Sequence, residues 1–243
     1  MVRRSMLWVC AFAAALSAGP AAAIVPSKAV LIGNSHYESK CSPDFPTVPS
    51  SVAALATALS SVGVTVIPVA NRSRIEMATD VESNVPPEPQ GYVVYFAGLG
   101  EVLVDGALVG PDCSRLSPAD LQGALDQAID NTLLILDSCG SGAFANAINA
   151  LDPRICTITA STGSDCPTEG VFTPCFVAGL NGAADANHDG SVTVAEAAGY
   201  AIANCGDGHT LPTWDGGCPD VVIGNGPVAV SPSSWGRMKS GYR

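Results

Sequence analysis

The residues best suited to covalent chemistry lie in Thr132–Phe144, TLLILDSCGSGAF. Thr132–Leu136 is a nearly unbroken apolar run, and Asp137, Ser138, Cys139, Gly140, Ser141 and Gly142 follow at once. An apolar run bounded by Asp and Gly reads as a buried strand of a parallel sheet. Residues just beyond its carboxyl end face the crevice where open α/β sheets bind ligands. Cys139 is then a candidate nucleophile, and the glycines around it let the backbone approach a bound group closely. A cysteine in a tight turn, buried or disulfide-bonded, has the same local pattern, and the stretch alone does not separate the two.

A second constellation is Asp185–Glu196, DANHDGSVTVAE. Side-chain oxygens sit at the first, third and fifth positions (Asp185, Asn187, Asp189), and Gly190 occupies the sixth, where the chain must turn sharply. Ser191 offers a backbone carbonyl at the seventh, Thr193 stands at the ninth, and Glu196 at the twelfth can bind through both oxygens. This is the full spacing of an EF-hand loop, in which oxygen ligands fold around one hard cation. The expected ligand is Ca2+, held by Asp185, Asn187, Asp189, Ser191, Thr193 and Glu196 and fastening the helices on either side. An acidic turn that only resembles such a loop is the plainer alternative.

The elements that must position these residues are legible from pattern. Lys28–Gly33, Val64–Val69, Tyr92–Ala97, Thr132–Leu136, Arg154–Ala160 and Pro219–Ile223 read as strands. Helical spacing or start signals mark Ser50–Val62, Ser73–Val85, Ser117 to about Ile129, Ala143–Ala150 and Val171–Leu180. Asp105-Gly106 between apolar residues predicts a hairpin. Strands alternating with helices predict an α/β fold, a mostly parallel sheet with helices on both faces in three layers.

The chain has 243 residues, enough for one sizeable domain. Arg3 and Arg4, an apolar run from Met6 to Leu16 and Ala21-Ala22-Ala23 have the layout of a secretory leader, so residues 1–23 are expected to be removed. The domain is then expected over 24–226, with a loosely ordered Ser/Pro-rich tail over 227–243, and a secreted or periplasmic location. No later run is long enough to span a bilayer. Of 11 basic residues, two leave with the leader and nine face 22 acids, a formal charge of −13. Such a chain is a poor partner for nucleic acid or anionic lipid. Cys10 leaves with the leader too; the remaining eight cysteines imply disulfides in an oxidising compartment, and an even count leans toward a paired Cys139.

In order along the chain, KAVLIGNSHYES, YVVYFAGLGE, LLILDSCGSGAF, ITASTGSDC, the helix-and-acidic-loop stretch GVFTPCFVAGLNGAADANHDGSVTVAE, HTLPTWDGG and PDVVIG resemble the caspase and metacaspase family of cysteine peptidases, bacterial secreted forms above all. The resemblance covers roughly Lys28 to Gly224. It implies a caspase-like three-layer sandwich, Cys139 as nucleophile, oxyanion donation from the amides of Cys139 and Gly100, and Asp137 in a pocket for a basic side chain. The departures fall on the chemistry. Leu99 stands where the family has its catalytic histidine, and a leucine can neither take a proton from the thiol nor give one to a leaving amine. Gly140 stands where a histidine usually follows the cysteine, and Ser50-Ser51-Val52 lacks a further acid of the metacaspase pocket. His36 follows the first strand and is the one remaining imidazole at the crevice edge; His188 and His209 lie in later loops.

Three functions fit. The first is a pseudo-peptidase that binds a peptide or protein ligand in the crevice. The second is a calcium-dependent endopeptidase cutting after basic residues with an unorthodox base. The third is a disulfide-stapled structural domain in which Cys139 is bonded.

Overall fold

Strands whose two faces are both apolar must be covered on both sides, and that requirement sets the architecture. The computed structural model describes residues 24–87, 90–102, 105–126, 131–163 and 165–226. The chain opens with β1 (Lys28–Gly33), α1 (Val48–Ser61), β2 (Thr65–Ala70), α2 (Arg74–Glu82) and β3 (Tyr92–Ala97). Three short strands follow: β4 (Gly100–Glu101), β5 (Ala107–Val109) and β6 (Arg115–Leu116). Next come α3 (Pro118–Ala124), β7 (Thr132–Asp137), α4 (Ser141–Leu151), β8 (Ile155–Thr159) and α5 (Phe172–Ala178). A π-helical turn (Gly179–Ala183), β9 (Ser191–Thr193), α6 (Val194–Asn204), β10 (Thr213–Trp214) and β11 (Val222–Asn225) close it.

The central sheet has six strands in the order β10-β8-β7-β3-β1-β2. Its neighbours are parallel except β10, which runs antiparallel to β8 at one edge. Side-chain alternation splits the core in two. Ala29, Leu31, Val93, Tyr95, Leu133 and Ile135 pack with residues of α1, α5 and α6. Val30, Ile32, Val94, Phe96, Leu134 and Leu136 pack with residues of α2, α3 and α4 on the other face. The three-layer α/β arrangement expected from the strand–helix alternation is present.

β1 and β3 occupy the predicted residues, because residues 29–32 and Tyr92–Ala97 are unbroken buried runs with Gly beside them. α3 starts at the predicted Ser117, whose hydroxyl accepts from the Asp120 amide while the Asp120 carboxylate accepts from Ser117 in return. Its C-cap is Leu125, and the continuation expected to about Ile129 reaches residues outside the described set. The helix expected over Val171–Leu180 leaves α-geometry at Gly179, and Gly182 with φ 111° turns the chain into the acidic loop. β6, β9 and β10 have no counterpart in the sequence pattern, since two or three residues carry too little alternation to register. β4 and β5 pair antiparallel on either side of the expected Asp105-Gly106 hairpin, and residues 103–104 lie outside the described set. The leader expected at 1–23 and the tail at 227–243 also lie outside it. Among the described residues no helix is long and apolar enough to cross a membrane.

The eight described cysteines form four disulfides: Cys41–Cys113, Cys139–Cys166, Cys156–Cys218 and Cys175–Cys205.

Candidate functional site

β7 delivers Asp137, Ser138 and Cys139 to the carboxyl end of the sheet, and α4 begins two residues beyond the cysteine. The turn requires Gly140 in the left-handed region, φ 63°. A Cβ there would also collide with the Glu101 carbonyl. A histidine at this position would therefore have no room. Cys139 is half-buried and its sulfur is bonded to that of exposed Cys166, with the two Cα atoms 4.0 Å apart. The Gly140 amide donates to the Asp165 carbonyl at 3.0 Å, which draws the Cys166 segment against the same turn. The candidate nucleophile is thus not a free thiol in this structure.

Leu99 and Gly100 stand beside that turn at the end of β3. A Cβ at Gly100 would run into the Cys139 carbonyl, so the two backbones are in direct contact. Half-buried Leu99 donates its amide to the Tyr37 hydroxyl at 2.8 Å and accepts from the Val109 amide at 3.0 Å. Burial pushes the Tyr37 phenol well above its ordinary range, with the Leu99 amide acting in the opposite sense. Tyr37 is therefore a neutral hydrogen-bonding post and no base. None of the three histidines lines the crevice. His36 is exposed and its Nδ1 lies 2.9 Å from the Ser35 hydroxyl, while His188 and His209 are exposed in their loops.

The crevice is a depression of about 40 Å³ lined by Phe45, Val48, Asp137, Cys139, Pro167 and Glu169 among others. That volume admits a few water-sized groups. Its acids carry the character of the site. Asp137 Oδ2 accepts from the Thr173 hydroxyl at 2.6 Å. The Thr173 oxygen lies 2.8 Å from the hydroxyl of fully buried Tyr95; with its own proton on Asp137, it accepts from Tyr95. Burial raises the Asp137 pKa to about 6, the Thr173 hydrogen bonds pull it down, and the Glu169 charge adds to the rise. The residue touches solvent along the crevice, yet its carboxylate is packed away from bulk water. Glu169 at the rim accepts from both the amide and the hydroxyl of Thr47 at the start of α1, at 2.8 and 2.7 Å. Among the described residues no cation pairs with either acid. Sequence pattern does not single out Thr173, Tyr95, Glu169 or Cys166; only cysteine parity hints at a partner for Cys139.

The acidic loop follows the π-helical turn and leads into α6, and none of its residues lines the crevice. Asp185 is buried, whereas Asn187 and Asp189 are exposed and Ser191, Thr193 and Glu196 are half-buried. Glu196 Oε2 accepts from the amide and hydroxyl of Thr193 at 3.0 and 2.9 Å. The carboxylates of Asp185, Asp189 and Glu196 do not all lie within 4.8 Å of one another. The tighter cluster of Glu38, Cys41 and Cys113 has both sulfurs in a disulfide and so offers no thiolate to a metal.

A mostly parallel sheet clad by helices on both faces, in this strand order, is a caspase-like fold. Two solved structures share it over most of the chain. One is caspase-1 from Spodoptera frugiperda, with a TM-score of 0.60 at 11% identity over 85% of this chain and 92% of that one. The other is a protein from Geobacter sulfurreducens, with a TM-score of 0.60 at 12% identity over 86% of this chain and 96% of that one. At such identity the likeness is one of fold. No family model matches the sequence, and no curated protein matches it.

Proposed function

We propose that the chain is a caspase-like binding domain that holds a basic side chain in its crevice and does not cleave the ligand. The observation that carries this reading is the combination of a bonded Cys139 sulfur with a desolvated carboxylate at Asp137 that no described cation neutralises. A disulfide sulfur has no lone-pair nucleophile of thiolate strength. Leu99 supplies no proton carrier, and a positioned one contributes typically about 10²–10⁴-fold in rate. Asp137 carries a desolvated carboxylate that costs stability and has the Thr173 hydroxyl, but no described cation, beside it. A lysine or arginine head brought into the crevice supplies that partner, and Glu169 at the rim adds a second negative charge. The eight paired cysteines fit an oxidising compartment, outside the cell or in the periplasm.

The test is fluorescence polarisation with a library of short labelled peptides carrying one central Arg or Lys, each matched with a citrulline or norleucine copy. The expected result is tighter binding of the cationic member at pH 7.5, lost in Asp137→Asn. In parallel, Arg- and Lys-ended reporter peptides are incubated with the oxidised protein and with calcium. Hydrolysis that disappears in Cys139→Ala would defeat the proposal in favour of an endopeptidase. Equal binding of charged and neutral peptides would favour a disulfide-stapled structural domain, the reading that the Cys139–Cys166 bond also supports.

A further inference from the structure

The geometry points to a calcium site at Asp185–Glu196 that clasps the closing strand of the domain, a site separate from the crevice. The EF-hand spacing is one observation, and the state of Asp185 is a second, independent one. Asp185 is 4% exposed, and its Oδ1 is buried without a hydrogen-bond partner. Its other oxygen, Oδ2, accepts from the Gly190 amide at 3.2 Å. A carboxylate oxygen left buried and unpaired calls for a cation, because desolvation disfavours the charged form unless something compensates it.

The back of Asp185 is closed by the end of the domain. β9 pairs antiparallel with β11, with Ser191 opposite Asn225, and the Gly226 amide donates to the Gly190 carbonyl at 3.0 Å. A Cβ at Gly226 would collide with the Asp185 carboxylate. The strand that an EF-hand loop presents for pairing is thus occupied by this chain's own β11. Gly190, with φ 90°, makes the sharp turn at the sixth position of the loop. Calcium takes Asp185 Oδ1, the side-chain oxygens of Asn187 and Asp189, the Ser191 carbonyl and, once it leaves the Thr193 amide, the Glu196 carboxylate; Thr193 lies in reach through a water. Six to eight oxygens in a pliable loop suit calcium better than magnesium, which demands a small octahedron. Binding then tightens β9, β11 and the start of α6 together.

The experiment uses the chain without residues 1–23, with its disulfides intact and stripped of metal by chelator. Calcium chloride, and separately magnesium chloride, is titrated by calorimetry, and thermal unfolding is followed in each. The expected result is one calcium site with Kd of about 10⁻⁴–10⁻³ M, and a Tm raised by roughly 3–10 °C in 10 mM calcium. Glu196→Gln keeps an oxygen for the Thr193 amide but loses the bidentate charge, and weakens calcium at least tenfold. Asp189→Ala, at an exposed position, gives the same comparison if Glu196→Gln folds poorly. No heat and no Tm shift in the parent protein would overturn the assignment. So would an equal response to magnesium, or a parental calcium response in both variants.

Discussion

Asp137→Asn isolates the physics of the crevice. Burial lifts the Asp137 carboxyl from 3.8 to about 6. A pKa difference of one between folded and unfolded chain is worth about 1.4 kcal/mol, so the ionised residue costs the folded state up to about 3 kcal/mol. The sign follows from the direction of the change. An acid with a raised folded pKa penalises the fold fully above pH 6, and the penalty fades as pH falls from 6 to about 4, where the unfolded chain is protonated too. Asparagine removes the charge and keeps an oxygen for the Thr173 hydroxyl. The variant is therefore expected to be more stable than the parent by up to about 3 kcal/mol at pH 7.5 and equal to it below pH 4. For a domain of this size that is a Tm gain of roughly 6–12 °C, shrinking toward zero in acid. Scanning calorimetry of both proteins from pH 3.5 to 8 at fixed calcium reads the difference, in which titrating groups other than Asp137 and its neighbour Glu169 cancel. A difference that is flat in pH, or a variant less stable than the parent at pH 7.5, would refute the argument. The gain in stability should come with a loss of cationic-peptide binding, the usual trade at a site that keeps a charge for a ligand.

Further outcomes follow from the same contacts. Thiol counting on the oxidised, denatured protein should find no free thiol among the eight cysteines from Cys41 to Cys218, and a labelled Cys139 would contradict its pairing with Cys166. Gly140→His should lower stability by about 2–4 kcal/mol in urea unfolding, from left-handed strain plus collision with the Glu101 carbonyl; an unchanged midpoint would contradict the crowding. Leu99→His, at a half-buried position, should fold but release no fluorophore from Arg-ended reporters while the Cys139–Cys166 bond is intact. Replacing both Cys41 and Cys113 with Ala opens a bond between residues 72 apart and should cost about 4 kcal/mol, measured by the shift in denaturant midpoint.

Much of the frame is legible in the chain's residue pattern. β1, β3 and β7 are written as apolar runs that end in Gly or Asp, and a buried strand needs little else. The start of α3 is legible because Ser117, Pro118 and Asp120 satisfy the first turn locally. The short strands are not: β6, two residues long, carries too little alternation to register, and the pairing of β9 and β10 is chosen by distant partners such as Asn225 and Thr159.

The sequence by itself determined which groups are available: a cysteine at one strand end, a leucine just past another, and oxygens spaced for a hard cation. These are facts of residue type and local spacing, which no packing can alter. Tertiary structure decided what each group is able to do. It placed Cys166 against Cys139 across 27 residues, laid Asp137 on Thr173 away from water, and set Gly226 behind Asp185. Each is a contact between segments far apart in the chain, and bond formation, desolvation and ion binding depend on proximity in space.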